Sequence, residues 1–238
     1  MTAGELMAEL EADPEWVAER DRREAEMAAR QAELRRAEAP LVAELRELGY
    51  AVDSAWDMYK YKPYEDAVAV LVRHLGVDYP ARVREGIARA LNVPAARWAW
   101  DEVVAAFRGE QEKGAKDALA VAVGSLCDVG DERQVAEVIE LAGDAAHGNS
   151  RLLLFETLER SGRADAYAVL ERAAEDSTVS AKAQEVLRRW PRPGEGVAGG
   201  QGEARWSVEG LVASSAGDEP WVRARAGGSA ESRVRGDG

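Results

Sequence analysis

The feature that most constrains the fold is a recurrence of basic and apolar residues between residues 64 and 190. A base occurs at Arg84, Lys116 and Arg151, and successive bases are separated by 32 and 35 residues. Each base is followed after three and seven residues by an apolar residue: Ile87 and Leu91, Leu119 and Val123, Leu154 and Leu158. Such spacing places residues on one helical face, so the recurrence predicts equivalent helices that each carry a cation beside a buried stripe.

An acidic residue precedes each of these bases. Asp78 and Glu110 lie six residues before their bases, and Asp144 lies seven residues before Arg151. Lys182, with Asp176 six residues before it, forms a fourth copy, in which the apolar residues have slipped by one position. Another periodic helix precedes the helix that carries each base. The sequence therefore predicts eight helices in four pairs, and no strand.

The segments on either side of the repeats differ from them. Asp13 and Pro14 are typical of a helix start, and the charged helix that follows is predicted to stop before a short helix beginning at Pro40. We therefore divide the chain into an N-terminal helical extension and cap at 1–63, the helix pairs at 64–192, and a Gly-rich tail at 193–238. The tail contains too little apolar surface to offset its ordering entropy, so we expect it to be disordered.

A helix pair with an acid in its internal turn and a base six residues later resembles the HEAT repeat. The resemblance covers about residues 64–190, and the whole chain also resembles small actinobacterial HEAT-repeat proteins of unknown activity. It implies an all-α fold, a short HEAT-like α-solenoid of about four helix pairs. It also implies a hydrogen-bonded ladder of acids and bases between adjacent repeats, here Asp78, Arg84, Glu110, Lys116, Asp144, Arg151, Asp176 and Lys182.

Composition restricts the partners and the compartment. A net charge of −13 argues against nucleic acid and against an anionic membrane surface, because both are bound largely through basic side chains. The sequence lacks both a membrane-spanning apolar run and an apolar stretch near its start, so we expect a cytoplasmic protein. His74, His147 and Cys127 are too few for a usual zinc site, and GEGVAG at 194–199 lacks the strand and helix of a dinucleotide site. We therefore expect no metal, no cofactor and no catalytic residue.

The leading hypothesis is a non-catalytic protein-interaction module, such as an adaptor, a regulatory protein or a toxin-neutralising protein. In the repeat alignment, the solvent-facing positions of the second helices form a mostly acidic concave face that would receive a basic protein or peptide; an ordinary solvated face is the alternative. Its predicted contact residues are Glu85, Arg89, Asp117, Glu156 and Glu159. The pattern leaves the oligomeric state open.

A HEAT-like DNA glycosylase is the rival hypothesis. Glycosylases of this kind use tryptophan and aspartate to meet a damaged base, and RWAWDEV at 97–103 supplies Trp98, Trp100 and Asp101. The simpler interpretation is that Trp100 belongs to the core and that Trp98 covers a neighbouring helix. The acidic chain, without an evident basic groove, favours the simpler interpretation.

Overall fold

The computed structural model describes residues 2, 4, 7 and 10–190. Within these residues all regular structure is helical and no strand occurs, so the predicted all-α class is confirmed. The Gly-rich tail predicted at 193–238 lies outside the described residues. None of the described helices is long and apolar enough to cross a membrane.

The long helix that we label α1 runs from Pro14 to Glu47. The Asp13 carboxylate caps it by accepting the Glu15 N–H at 2.9 Å, as the sequence predicts. Pro40, however, lies inside this helix and does not begin a new one. Proline removes the N–H that would bond the carbonyl of Arg36, but both residues lie on an exposed side where water can meet that carbonyl.

The connection after α1 packs over the start of the helix pairs. It turns at Gly49, whose φ of 96° favours glycine, and forms a 3₁₀ helix at Ala55–Tyr61. Trp56 in this helix donates its indole N–H to the Arg82 carbonyl at 3.0 Å. The buried Glu38 of α1 accepts hydrogen bonds from Ser54 and Ala55, while burial raises the pKa of its carboxyl.

Eight α-helices follow in the described part of the chain, the number that the sequence predicts. Their bounds are α2 Val68–Leu75, α3 Ala81–Ala90, α4 Trp100–Gly109, α5 Lys113–Leu126, α6 Glu132–Gly143, α7 Phe155–Ser161, α8 Ala164–Ala173 and α9 Ser180–Arg189. Short 3₁₀ helices precede three of them, at Glu65–Ala67, Pro94–Ala99 and Ala145–Leu154. The predicted apolar faces are the buried ones: in α4, for example, Trp100, Val103, Val104 and Phe107 are at most 2% exposed.

The helices contact each other within each pair and between one pair and the next. Chain neighbours contact each other in the pairs α2–α3, α4–α5, α6–α7 and α8–α9. The second helix of each pair also contacts the second helix of the next pair, either directly, as α3 does α5, or through the segment Ala145–Leu154. Each second helix therefore lies beside the equivalent helix of the next pair, which brings equivalent side chains close together.

Candidate functional site

The first predicted base, Arg84, joins two helix pairs. Its guanidinium donates to both carboxylate oxygens of Glu110, at 2.7 Å and 3.0 Å, and also to the Tyr79 carbonyl. Glu110 lies in the turn of the next pair, is 8% exposed, and accepts two further backbone N–H groups. The Arg84 hydrogen bonds hold the pKa of this carboxyl below its usual value. Asp78, the other predicted partner, is fully exposed and lies 4.0 Å from Arg84.

Arg151 makes the same kind of contact one step further along. It is 4% exposed and donates to Asp176 in the turn of the last pair, as well as to the Gly148 carbonyl at 3.1 Å. Asp176 in turn accepts the Thr178 N–H at 2.9 Å. The Thr178 N–H and then Arg151 lower the pKa of the Asp176 carboxyl. Both predicted arginines thus reach an acid of the following pair.

The two predicted lysines depart from this pattern. Lys116 donates to the backbone carbonyl of Glu110 at 2.8 Å, while the Asp144 carboxylate accepts the Ala146 N–H at 2.8 Å. Lys182 donates to Glu156 at 3.2 Å and to Glu185 at 3.1 Å rather than to Asp176. An acid-to-base ladder contact between pairs is therefore present at Arg84 and Arg151 and missing at Lys116.

The predicted acidic face is a row of ion pairs. On α3, Glu85 contacts Arg82 and Arg89, each at 3.0 Å, and its side chain is only 12% exposed. On α5, Asp117 pairs with Lys113 and accepts the Ser150 hydroxyl at 2.6 Å. The Glu85–Arg89 and Lys113–Asp117 spacings of four residues were a sequence signal for this pairing.

The same pairing continues between α7 and α9. Arg189 lies 3.6 Å from Glu156 and 2.6 Å from Glu159, and Lys182 lies 3.2 Å from Glu156. Each of the four predicted acids therefore has a basic neighbour. We call this row the second-helix face: Arg82, Glu85, Arg89, Lys113, Asp117, Glu156, Glu159, Lys182, Glu185 and Arg189.

Trp56 borders the second-helix face at its α3 end. Its ring lies 3.8 Å from the Arg82 guanidinium and 5.1 Å from that of Arg89. These cation–π contacts hold two cations beside Glu85. The aromatic segment before residue 64 therefore contributes directly to the charged row, a contribution that the sequence pattern does not reveal.

The three residues of the glycosylase hypothesis have separate surroundings. Trp98 is 61% exposed, whereas Trp100 is 2% exposed and donates its indole N–H to Glu137 at 2.8 Å. Asp101 pairs with Arg133 at 2.7 Å. Trp100 and Asp101 therefore each contact a residue of α6, whereas the Trp98 side chain is exposed to solvent.

Metal binding and thiol chemistry depend on a few side chain types, all of which occur among the described residues. They contain no group of three or more His, Cys, Asp or Glu side chains placed to hold a metal ion. Burial raises the pKa of the Cys127 thiol to about 11, so this thiol is protonated at neutral pH. In comparisons of the chain with protein-family models, curated proteins and solved structures, nothing matches.

Proposed function

We propose that the helix pairs form a short HEAT-like α-solenoid and that the protein is a non-catalytic interaction module. The second-helix face is its working surface, with Glu85, Arg89, Asp117, Glu156 and Glu159 as the contact residues. The observation that supports this proposal is the row of paired acids contributed by successive second helices, because packing fixes their spacing before any partner arrives.

Paired acids can still bind a basic partner. An exposed ion pair contributes only about 0.2–1 kcal/mol, since solvent and salt screen it. An arginine or lysine of a partner can therefore replace Arg189 beside Glu156 or Lys113 beside Asp117 at little cost. Each displaced base returns to water, where it is well solvated. The partner we propose is an extended or helical basic segment of a protein.

The overall charge agrees with this choice of partner. At −13 the chain repels polyanions and attracts polycations over distances of about 10 Å at moderate salt. A surface that binds a basic segment suits an adaptor, a regulatory protein or a toxin-neutralising protein in the cytoplasm. We propose this set of roles and do not choose among them.

The test uses a fluorescent peptide of alternating arginine and alanine, with a glutamate peptide of equal length as the negative probe. The variant Glu85→Gln, Asp117→Asn, Glu156→Gln neutralises three acids of the second-helix face without changing side-chain size. The matched control, Glu65→Gln, Glu102→Gln, Glu175→Gln, removes the same charge from exposed acids elsewhere.

We expect the arginine peptide to bind wild type and control alike, more weakly at high salt, and to lose most of its affinity for the face variant. Fluorescence anisotropy at two ionic strengths measures this. Equal weakening in the face variant and the control would mean that net charge alone attracts the peptide, and the proposed face would be wrong.

A further inference from the structure

A cleft of about 350 Å³ lies where the ladder contact between Lys116 and Asp144 is missing. Side chains from α4, α5, α6 and the turns that follow α4 and α6 line it. The polar ones are Arg108, Gln111, Lys116, Glu140, Asp144 and His147. None of these belongs to the second-helix face, so the cleft is a separate feature of the molecule.

Lys116 is a buried lysine that forms no close ion pair among the described residues, although the carboxylates of Glu110 and Asp144 act on it from a distance. The residue is 7% exposed, and no carboxylate of the described residues lies within 4.0 Å of its ammonium group. Its contacts are the Glu110 carbonyl at 2.8 Å and the face of Phe107, whose centroid is 5.0 Å away. One carbonyl accepts one of three N–H groups, so the ammonium retains donors for another acceptor.

The imidazole of His147 also lines this cleft. Its side chain is 9% exposed, and its Nδ1 is buried without a hydrogen-bond partner among the described residues. Its Nε2 lies 3.8 Å from Asp144, beyond hydrogen-bond distance. The imidazole packs on Phe107 with ring centroids 4.7 Å apart, so Lys116 and His147 both contact this one ring.

The rim of the cleft is charged differently from its interior. Glu140 and Asp144 are 71% and 53% exposed, and Arg108 pairs with Glu137 at 2.8 Å and with Glu140 at 3.3 Å. The interior therefore offers hydrogen-bond donors, whereas the rim carries two carboxylates. A ligand that enters must supply an acceptor for Lys116 and must carry little negative charge elsewhere.

We propose that this cleft binds a small molecule with a single carboxylate group, which occupies the place of the acid in the missing ladder contact. The carboxylate accepts from the Lys116 ammonium and lies beside the His147 imidazole, which lines the same cleft. Asp144 does not fill this place, since one oxygen of its carboxylate caps the segment that begins at Ala145 and its other oxygen lies 3.8 Å from His147. The two rim acids repel a dianion, which favours a monocarboxylate over phosphate.

The two histidines of the chain provide the measurement, because each imidazole gives resolved carbon and proton resonances. His74 is the internal reference, since its ring nitrogens contact Tyr79 at 2.6 Å and Glu44 at 3.0 Å. The full chain is titrated with sodium acetate, sodium phosphate or sodium chloride at constant ionic strength. We expect acetate to shift the His147 resonances saturably and to leave those of His74 unchanged, with phosphate binding more weakly and chloride having no effect.

Two variants test the residues that carry the proposal. Lys116→Gln should weaken acetate binding about tenfold or more, because it removes the charged donor. Lys62→Gln, at an exposed lysine before α2 that lies outside both the cleft and the second-helix face, is its control and should bind as wild type does. Glu140→Gln removes a rim acid from an exposed position and should strengthen acetate binding. If the Lys116→Gln chain does not fold, the acetate affinity of Glu140→Gln tests the proposal.

Three results would overturn the proposal. They are the absence of a saturable His147 shift in the folded wild type, an unchanged acetate affinity in both folded variants, and a phosphate affinity above that of acetate. None of them bears on the arginine-peptide experiment, so this inference and the proposed function fail separately.

Discussion

The first and the last helix pairs use the same sequence pattern in different ways. In the first, Arg84 reaches forward to the buried Glu110 of the next pair and bonds both of its oxygens. In the last, Lys182 lies 29% exposed on the second-helix face and shares the exposed acids Glu156 and Glu185. An acid and a base six residues apart therefore do not by themselves fix one contact.

The chemistry of the two bases explains much of this difference. A guanidinium presents several N–H groups in a plane and can serve a carboxylate and a carbonyl at once, as Arg84 does with Glu110 and Tyr79. A lysine ammonium is a compact, strongly hydrated charge, and Lys182 keeps it near solvent.

The largest effect is expected for Arg84→Ala. The change leaves the Glu110 carboxylate, which is 6% exposed, without its cation. We expect a loss of about 2–3 kcal/mol in the free energy of unfolding. Urea denaturation followed by circular dichroism measures it. An unchanged midpoint would show that this contact does not stabilise the junction of the first two pairs.

A smaller loss is expected for Gly86→Ala, which disturbs the cover over the first pair. A Cβ atom at residue 86 would lie 2.7 Å from two atoms of the Trp56 ring, so the indole must shift away from Arg82. Overpacking of this kind costs about 1–3 kcal/mol, and the better helix propensity of alanine offsets about 1 kcal/mol of that.

The matched control is Gly109→Ala at the end of α4, where a Cβ atom meets nothing within 4 Å. We expect this variant to melt at or slightly above the wild-type temperature. Equal melting temperatures for the two alanine variants would mean that Trp56 does not press on α3.

Acid should reduce the difference between wild type and Arg84→Ala. Because the folded-state pKa of Glu110 is lowered, its contribution to stability is complete above its unfolded pKa, about 4.3. That contribution is lost as the pH falls through the folded-state pKa. Urea midpoints of both chains between neutral pH and about pH 3 measure the effect, given the ordinary range of carboxyl pKa values. A constant difference across this range would contradict the role given to the Glu110 carboxylate.

The smallest effect is expected for Lys182→Ala. Its two partners are 40% and 47% exposed, and pairs of this kind contribute about 0–0.5 kcal/mol. Raising the salt concentration should remove even this difference. A loss comparable to that of Arg84→Ala would show that the last pair depends on its lysine as the first does on its arginine.

Periodicity predicted the helices well because burial of one face decides whether a helix forms. The spacing of Trp100, Val103, Val104 and Phe107 predicts α4, and these side chains are buried as expected. Proline chemistry was a weaker guide: Pro40 predicts a helix start, yet α1 continues through it because the affected turn is exposed. A proline therefore predicts a helix boundary only where nothing in the surroundings, such as water, can bond the carbonyl group that the proline leaves free.

Side-chain partners were harder to predict than helices. The pair Arg84–Glu110 was among the contacts that the HEAT resemblance implies, since Arg84 is the base of one repeat and Glu110 is the acid of the next. No sequence signal of this kind predicts the cleft at His147. The cleft exists because Lys116 and Asp144 bond to backbone groups instead of to each other. Contacts between repeats depend on side-chain reach and on competing backbone partners, neither of which a spacing encodes.

A pair of double-mutant cycles tests most directly whether the Arg84–Glu110 contact is stronger than the Lys182–Glu156 contact. One combines Arg84→Ala with Glu110→Gln, and the other combines Lys182→Ala with Glu156→Gln, with unfolding free energies from urea denaturation. We expect a coupling energy of about 2 kcal/mol between Arg84 and Glu110, and of at most about 0.5 kcal/mol between Lys182 and Glu156. A coupling for Arg84 and Glu110 no larger than that for Lys182 and Glu156 would contradict this expectation.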